Sequence, residues 1–184
     1  MQNTASTIIA LVTAGVLLFI APLVTLTDRS DNVAQQNVEL IVEEFVTDVQ
    51  NTGKLTRAKY EKFESELDTI GNTTYDIEIQ IQHIDENVGK KTAQANYTKI
   101  GENVYYSEYT TQILKQIGIQ TDDTVPSQSD TMLLKEGDII YVSVKNVDST
   151  AAQTFKSSFL GFSNAGEYVI SASSSGMVTV NGIR

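Results

Sequence analysis

His83 is the chain's only histidine, and it ends an alternating stretch, Tyr75 to His83 (YDIEIQIQH), on the apolar side. An imidazole is the first candidate for proton transfer or metal ligation near neutral pH. No partners for a nucleophilic triad or a His-based metal site are readable around it, so a structural role is expected. Asp122 with Asp123, and Glu136 with Asp138, could offer oxygen ligands to a cation. Neither pair falls in the D-x-D-x-D-G register of a calcium loop, and solvated turn acids are expected instead. Gly161, Gly166, Gly176 and Gly182 are scattered at turn positions and form no phosphate-binding fingerprint. Tyr105, Tyr106 and Tyr109 cluster. An exposed sticky patch is one reading, and half-buried sheet or helix residues are the expected one. Asn72-Thr73-Thr74 and Asn96-Tyr97-Thr98 match the glycosylation acceptor pattern, which is short enough to recur by chance. The chain has no cysteine, which excludes disulfides and thiolate metal sites. No catalytic, cofactor-binding or metal-binding set emerges, and the expectation is a protein that is not an enzyme and carries no cofactor.

The elements that would position any of these residues begin with Thr7 to Thr27 (TIIALVTAGVLLFIAPLVTLT), 21 residues without a charge. At helical rise they span roughly 32 Å, the thickness of a bilayer's hydrocarbon core. A cleaved signal peptide would carry a basic segment before a shorter apolar run, and no Lys or Arg precedes Arg29. A buried soluble helix would show one polar face, and this one shows none. A retained membrane helix is therefore expected. Pro22 removes a backbone hydrogen bond in its final turns, which predicts a local kink. Ala10, Ala14 and Gly15 are small enough to let a second helix approach. With Leu18 and Pro22 they are the candidate assembly residues.

After Asp28 to Asp31 (DRSD), the apolar residues Val38, Ile41, Val42, Phe45, Val46 and Val49 repeat at helical period, and Gly53 is a natural stop. No Gly or Pro separates Arg29 from Asn51, so one helix of about 45 residues is expected, apolar all round at first and amphipathic later. A second helix is expected over Leu55 to Gly71, with Thr56 as N-cap, Leu55 and Tyr60 as a hydrophobic staple, and Tyr60, Phe63, Leu67 and Ile70 inward. Tyr75 to His83 reads as a strand, followed by a turn at Asp85 to Lys91 and a partner strand near Ala93 to Thr98. A short helix is expected over Ser107 to Gly118, and a loop over Gln120 to Asp130. A turn at Lys135 to Asp138 leads to a strand with Ile140, Val142 and Val144 on one face. Ala151 to Gly161 is expected to be a short helical or irregular connection carrying Phe155 and Phe159. Two last strands, Glu167 to Ser173 and Met177 to Val180, would be joined by a turn at Ser173 to Gly176.

The fold class is thus α+β: a long hydrophobic-to-amphipathic N-terminal helix, then a small, mostly antiparallel sheet with one or two short helices. Residues 1–27 form the membrane or filament-core helix, 28–53 its amphipathic continuation and 54–184 the head. The 184 residues suffice for one anchor and one modest domain, and the net charge of −10 argues against nucleic-acid partners. Only Arg29 flanks the apolar helix closely, so charge bias leaves its orientation open.

The uncharged Ala5 to Asp31 and the amphipathic Val33 to Asn51, followed by a polar α+β head, resemble type IV pilins and the pilin-like proteins of related secretion and tight-adherence machines. The tail Leu134 to Arg184, with LKEGDIIYVSVKN and YVISASSSGMVTVNG, is also similar to pilin-like proteins of Gram-positive tight-adherence gene sets. The sequence departs from the family pattern in having no basic leader and no acidic residue before Asp28. The resemblance implies a structural subunit of a surface filament or secretion machine. Its apolar helix would serve membrane anchoring and helix–helix assembly, with the head extracytoplasmic. The implied partners are the lipid bilayer and other copies or pilin-like subunits, with no nucleic acid or small-molecule substrate. The alternative is a monomeric membrane-anchored binding or scaffolding domain.

Overall fold

The computed structural model describes residues 2–71, 73–84, 105–119, 130–150, 153–154, 157–158 and 169–182. One helix, α1, runs unbroken from Gln2 to Thr52 and passes through Pro22. Its 51 residues extend about 76 Å at helical rise. It ends at Gly53, whose φ of 60° and N–H bond to the Val49 carbonyl (2.8 Å) form a left-handed stop. A side chain there would strike the backbone of Val180 and Gly182, so glycine is required twice over.

Strand β1 (Lys54–Thr56) follows at once, and α2 (Arg57–Asp68) begins behind it. The Thr56 hydroxyl accepts the Lys59 N–H at 3.2 Å, as an N-cap should, and Leu55 and Tyr60 are both buried. Then come β2 (Tyr75–Ile84), β3 (Tyr105–Tyr109), α3 (Thr110–Gln116), β4 (Thr131–Leu133), β5 (Ile139–Asn146) and β6 (Ser171–Met177). The strands make an antiparallel four-stranded sheet in the order β3-β2-β5-β6 and a two-stranded sheet β1-β4. The α+β architecture is as the sequence patterns indicate.

The core lies between one face of the large sheet and the second half of α1. Ala34, Val38, Val42, Phe45, Val46 and Val49 from α1 are buried with Ile79 and Ile81 of β2 and Ile140, Val142 and Val144 of β5. Each such side chain removed from water contributes about 1.5–3 kcal/mol before entropy is charged against it. Helix α2 closes one side, with Phe63 stacked on Phe45 at a centroid distance of 4.2 Å.

Several local expectations change. The residues Ser107 to Tyr109, expected to begin a helix, complete β3 instead, because β2 offers them a paired edge, and the helix starts only at Thr110. Ser173 to Gly176 do not turn but run through the middle of β6, paired with β5. The second half of α1 lies along this strand, which favours small side chains: Ala172, Ser174 and Gly176 share one face, and a Cβ on Gly176 would collide with the Gln50 side chain. Glutamines 35 and 50 secure the strand's two ends. Gln35 accepts the Ser171 N–H (3.1 Å) and donates to its carbonyl (2.8 Å), and Gln50 donates to the Met177 carbonyl (3.2 Å). Strands β1 and β4 are additions that three-residue segments do not announce by periodicity. The expected features at Asn72, Asp85 to Lys91, Ala93 to Thr98, Asp122, Asp123, Phe155, Phe159, Gly161 and Gly166 lie outside the described residues.

Candidate functional site

In the first half of α1, helix propensity and uniform apolarity act together, and most side chains are exposed, with Ile20, Val24 and Thr27 half-buried. Among the described residues it is the one helix long and apolar enough to cross a membrane, and none of its most apolar window is buried by the rest of the chain. Its polar side chains are satisfied internally. The hydroxyls of Thr13, Thr25 and Thr27 donate to the carbonyls of Ile9, Pro22 and Val24 at 2.7–2.8 Å. Such back-bonding removes the cost of placing a hydroxyl in hydrocarbon.

The candidate assembly residues are all solvent-exposed on this half. Ala10, Ala14, Leu18 and Pro22 recur every fourth residue and make one ridge of the kind that fits a neighbouring helix's groove. Gly15 lies beside that ridge, and a Cβ added to it would meet nothing within 4 Å. A second apolar series continues past the uncharged half. Leu26, Val33 and Leu40 are spaced by seven residues and are 60%, 49% and 63% exposed. Leu40 projects between Val38 and Val42 in sequence but on the opposite side of the helix from their buried face. The outer surface of α1 is therefore apolar at intervals well into the head.

The tie between helix and head begins at Asp31. Its carboxylate is buried and accepts the Thr150 hydroxyl at 2.9 Å. A residue that composition alone marks as a membrane-exit acid thus starts the packed part of α1.

The second place where functional types converge surrounds His83. The ring's Nδ1 lies 2.8 Å from Asp138 Oδ2, and the ring stacks on Tyr106 with centroids 5.0 Å apart. Asp138 is not a solvated turn acid: it is buried, and its carboxylate also accepts the N–H groups of Lys135 (2.9 Å) and Ile84 (3.4 Å). These donors lock its position, and with the carboxylate accepting, Nδ1 carries the ring hydrogen. The other nitrogen, Nε2, sits 3.8 Å from Glu108 Oε2, and Glu108 in turn accepts from Gln116 at 2.8 Å. The histidine thus joins β2, β3 and the β4–β5 turn.

A groove of about 700 Å³ opens beside it, lined by Lys54, Thr56, Tyr106, Glu108, Thr131 and Lys135 among others. Its charges are mixed, and among the described residues no group of three or more His, Asp or Glu is arranged to hold a metal ion. The Asp138–His83 pair could orient an imidazole. The hydrogen bond ties the end of β2 to the turn before β5. Compared with known families, curated proteins and solved structures, the chain matches none.

Sequence reasoning placed His83 correctly at a strand end but missed its partner, 55 residues away. That partner, Asp138, closes the turn Lys135 to Asp138, in which Gly137 has a φ of 95°, and the sequence marks it only as a turn acid. The tyrosine cluster divides. Tyr106 faces His83, whereas Tyr105 and Tyr109 lie on the other side of β3; all three are exposed rather than half-buried, and among the described residues β3 pairs with β2 alone.

Proposed function

We propose that this chain is a pilin-like structural subunit of a surface filament or secretion machine. Its uncharged half of α1 anchors the protein in the membrane as a single pass and then packs against equivalent helices, with the head extracytoplasmic. The observation that carries the reading is the outer surface of α1. Apolar side chains project from it along the uncharged half and onward through Val33 and Leu40, where the opposite face is already occupied by the head. A plain anchor needs apolarity only across the hydrocarbon core, about 20 residues. Apolar residues facing outward beside the head gain nothing from lipid and favour a helix neighbour. The ridge of Ala10, Ala14, Leu18 and Pro22, with Gly15 beside it, suits close approach in the same way.

Mechanical shearing of cells, followed by size fractionation, tests this reading. Recovery of the chain in high-molecular-mass fibres is the expected result. Recovery only as a detergent-solubilised monomer counts against a filament subunit. That outcome favours the second reading, a monomeric anchored binding or scaffolding domain, for which the groove beside His83 is the supporting feature.

A further inference from the structure

One face of the four-stranded sheet packs on α1; on the other, among the described residues, Tyr109, Tyr141, Ser175 and Met177 are exposed and Gln80, Gln82, Ser107 and Ile139 are half-buried. The composition of this second face is unusual. Strand register places Tyr109, Gln80, Tyr141 and Ser175 in one continuous row across β3, β2, β5 and β6. The neighbouring row holds Ser107, Gln82, Ile139 and Met177. Neither row carries a charge, although the protein's net charge is −10. The charged residues of this face, Asp76, Glu78 and Lys145, are confined to the rows toward one end. Tyr109 and Tyr141 are 57% and 41% exposed. They stand on the same row, separated by Gln80 and hence by two interstrand spacings, about 9.4–9.8 Å. The Gln80 amide donates to the Ser107 hydroxyl of the neighbouring row at 3.1 Å.

We propose that this face is a binding platform for an extended, uncharged, β-linked polysaccharide. A pyranose ring in such a chain presents an apolar C–H face to an aromatic ring and equatorial hydroxyls around its rim. Two aromatic rings two strands apart match the disaccharide repeat, so alternate sugars stack while the sugar between them meets the Gln80 amide. Serine hydroxyls and glutamine amides both donate and accept, as sugar hydroxyls do. The charge pattern selects the ligand class. A neutral polymer loses no ion hydration on the uncharged rows, whereas a polyanion such as nucleic acid meets no Lys or Arg there and an acidic protein around it. The groups sit on paired strands rather than loops, so little ordering is needed on binding. The inference does not rest on the filament reading; it requires only that the face be open, in a solitary or an assembled subunit.

The test uses the full chain purified in detergent micelles and passed over chitin, cellulose and cross-linked dextran, the last an α-linked control. Retention on chitin or cellulose but not dextran is expected. Tyr141→Ala and Tyr109→Ala should each weaken it about tenfold, which corresponds to one lost aromatic contact. Tyr141→Phe, which keeps the ring, should bind like the parent. Both tyrosines are exposed, and unchanged circular-dichroism melting verifies that the variants fold. Absence of retention on both β-linked supports overturns the proposal, as does equal retention on dextran. Retention unaffected by either alanine variant does so too. A protein ligand captured by this face without glycan retention would show that the platform serves a different class of partner.

Discussion

The two halves of α1 share one backbone and differ in what surrounds their side chains. Between Thr7 and Thr27 no charge interrupts the apolar run, and none of its most apolar window is buried by the rest of the chain. Between Asp31 and Gln50 most apolar residues form a stripe buried in the head, and Val33 and Leu40 stay exposed on the outer side. The first half is a helix because its backbone must satisfy itself wherever water is absent. The second is a helix because its stripe completes a core that the sheet cannot close alone. Substitutions should therefore have opposite consequences in the two halves, although local helix propensity is similar in both.

The sharpest contrast comes from truncation. Removing residues 1–27 should leave a soluble head whose stability to urea lies within about 0.5 kcal/mol of the same head in the full chain, since no residue of the buried core is lost. Removing residues 1–52 should abolish folding, because Val38, Val42, Phe45 and Val49 leave with it and uncover one whole layer. Circular dichroism and denaturant melts check both. A truncated 28–184 chain that aggregates would break the comparison by assigning core packing to the first half.

Point substitutions sharpen it. Val42→Asp places an unpaired carboxylate at a fully buried position and should destabilise the head by more than about 4 kcal/mol. Leu18→Asp introduces the same group at an exposed one. It should leave the head's melting unchanged and lower membrane insertion by about 3 kcal/mol, read by the fraction of chain that resists carbonate extraction.

These contrasts follow patterns that the sequence displays openly. The stripe from Val38 to Val49 and the alternation from Tyr75 to His83 both repeat often enough for the period to be unmistakable, and the caps at Gly53 and Thr56 mark the helix ends. What stayed hidden was set by distant partners. The residues Ser173 to Gly176 have turn composition, yet they form a strand, because α1 passes close over them and only small side chains fit beneath Gln50. The segment Tyr105 to Tyr109 has no apolar alternation, since Tyr105 and Tyr109 belong to the sheet face away from α1 and its inward residues meet His83 rather than the core. Three-residue strands such as β1 and β4 are defined wholly by each other. Asp138 illustrates the same limit: its burial depends on a histidine that only the β2–β5 pairing brings near.

A smaller effect should separate assembly from anchoring within the first half. A Cβ at Gly15 has nothing within 4 Å beyond its own helix backbone, so Gly15→Leu should spare both folding and insertion, and insertion should improve slightly with added apolar area. Close helix–helix approach would be lost, and with it the sheared high-molecular-mass fraction. Ala14→Leu should behave alike. Normal assembly in both variants would mean that the uncharged half serves as an anchor alone.

The smallest expected effect reports on the second half and the head exclusively. Tyr60 of α2 is buried, and burial first, then the nearby carboxylates of Glu64 and Asp76, pushes its phenol up to about 12. An unfolded tyrosine ionises near about pH 10. Below that value both states hold the proton, and the burial of Tyr60 contributes its full stability. Between about 10 and about 12 the unfolded chain releases the proton while the folded one retains it, so stability falls as pH rises through this window. Tyr60→Phe should remove part of that alkaline slope. It should not remove all of it, because burial also raises the Tyr75 phenol, which donates to the Ile70 carbonyl at 3.3 Å. Urea melts of the full chain at several pH values from 8 to 12 in the two proteins measure the difference. The tyrosines involved lie wholly in the head, so the 28–184 fragment should show the same slopes as the full chain. A slope that changes on removing the uncharged half would mean that the two halves of α1 are coupled through the head.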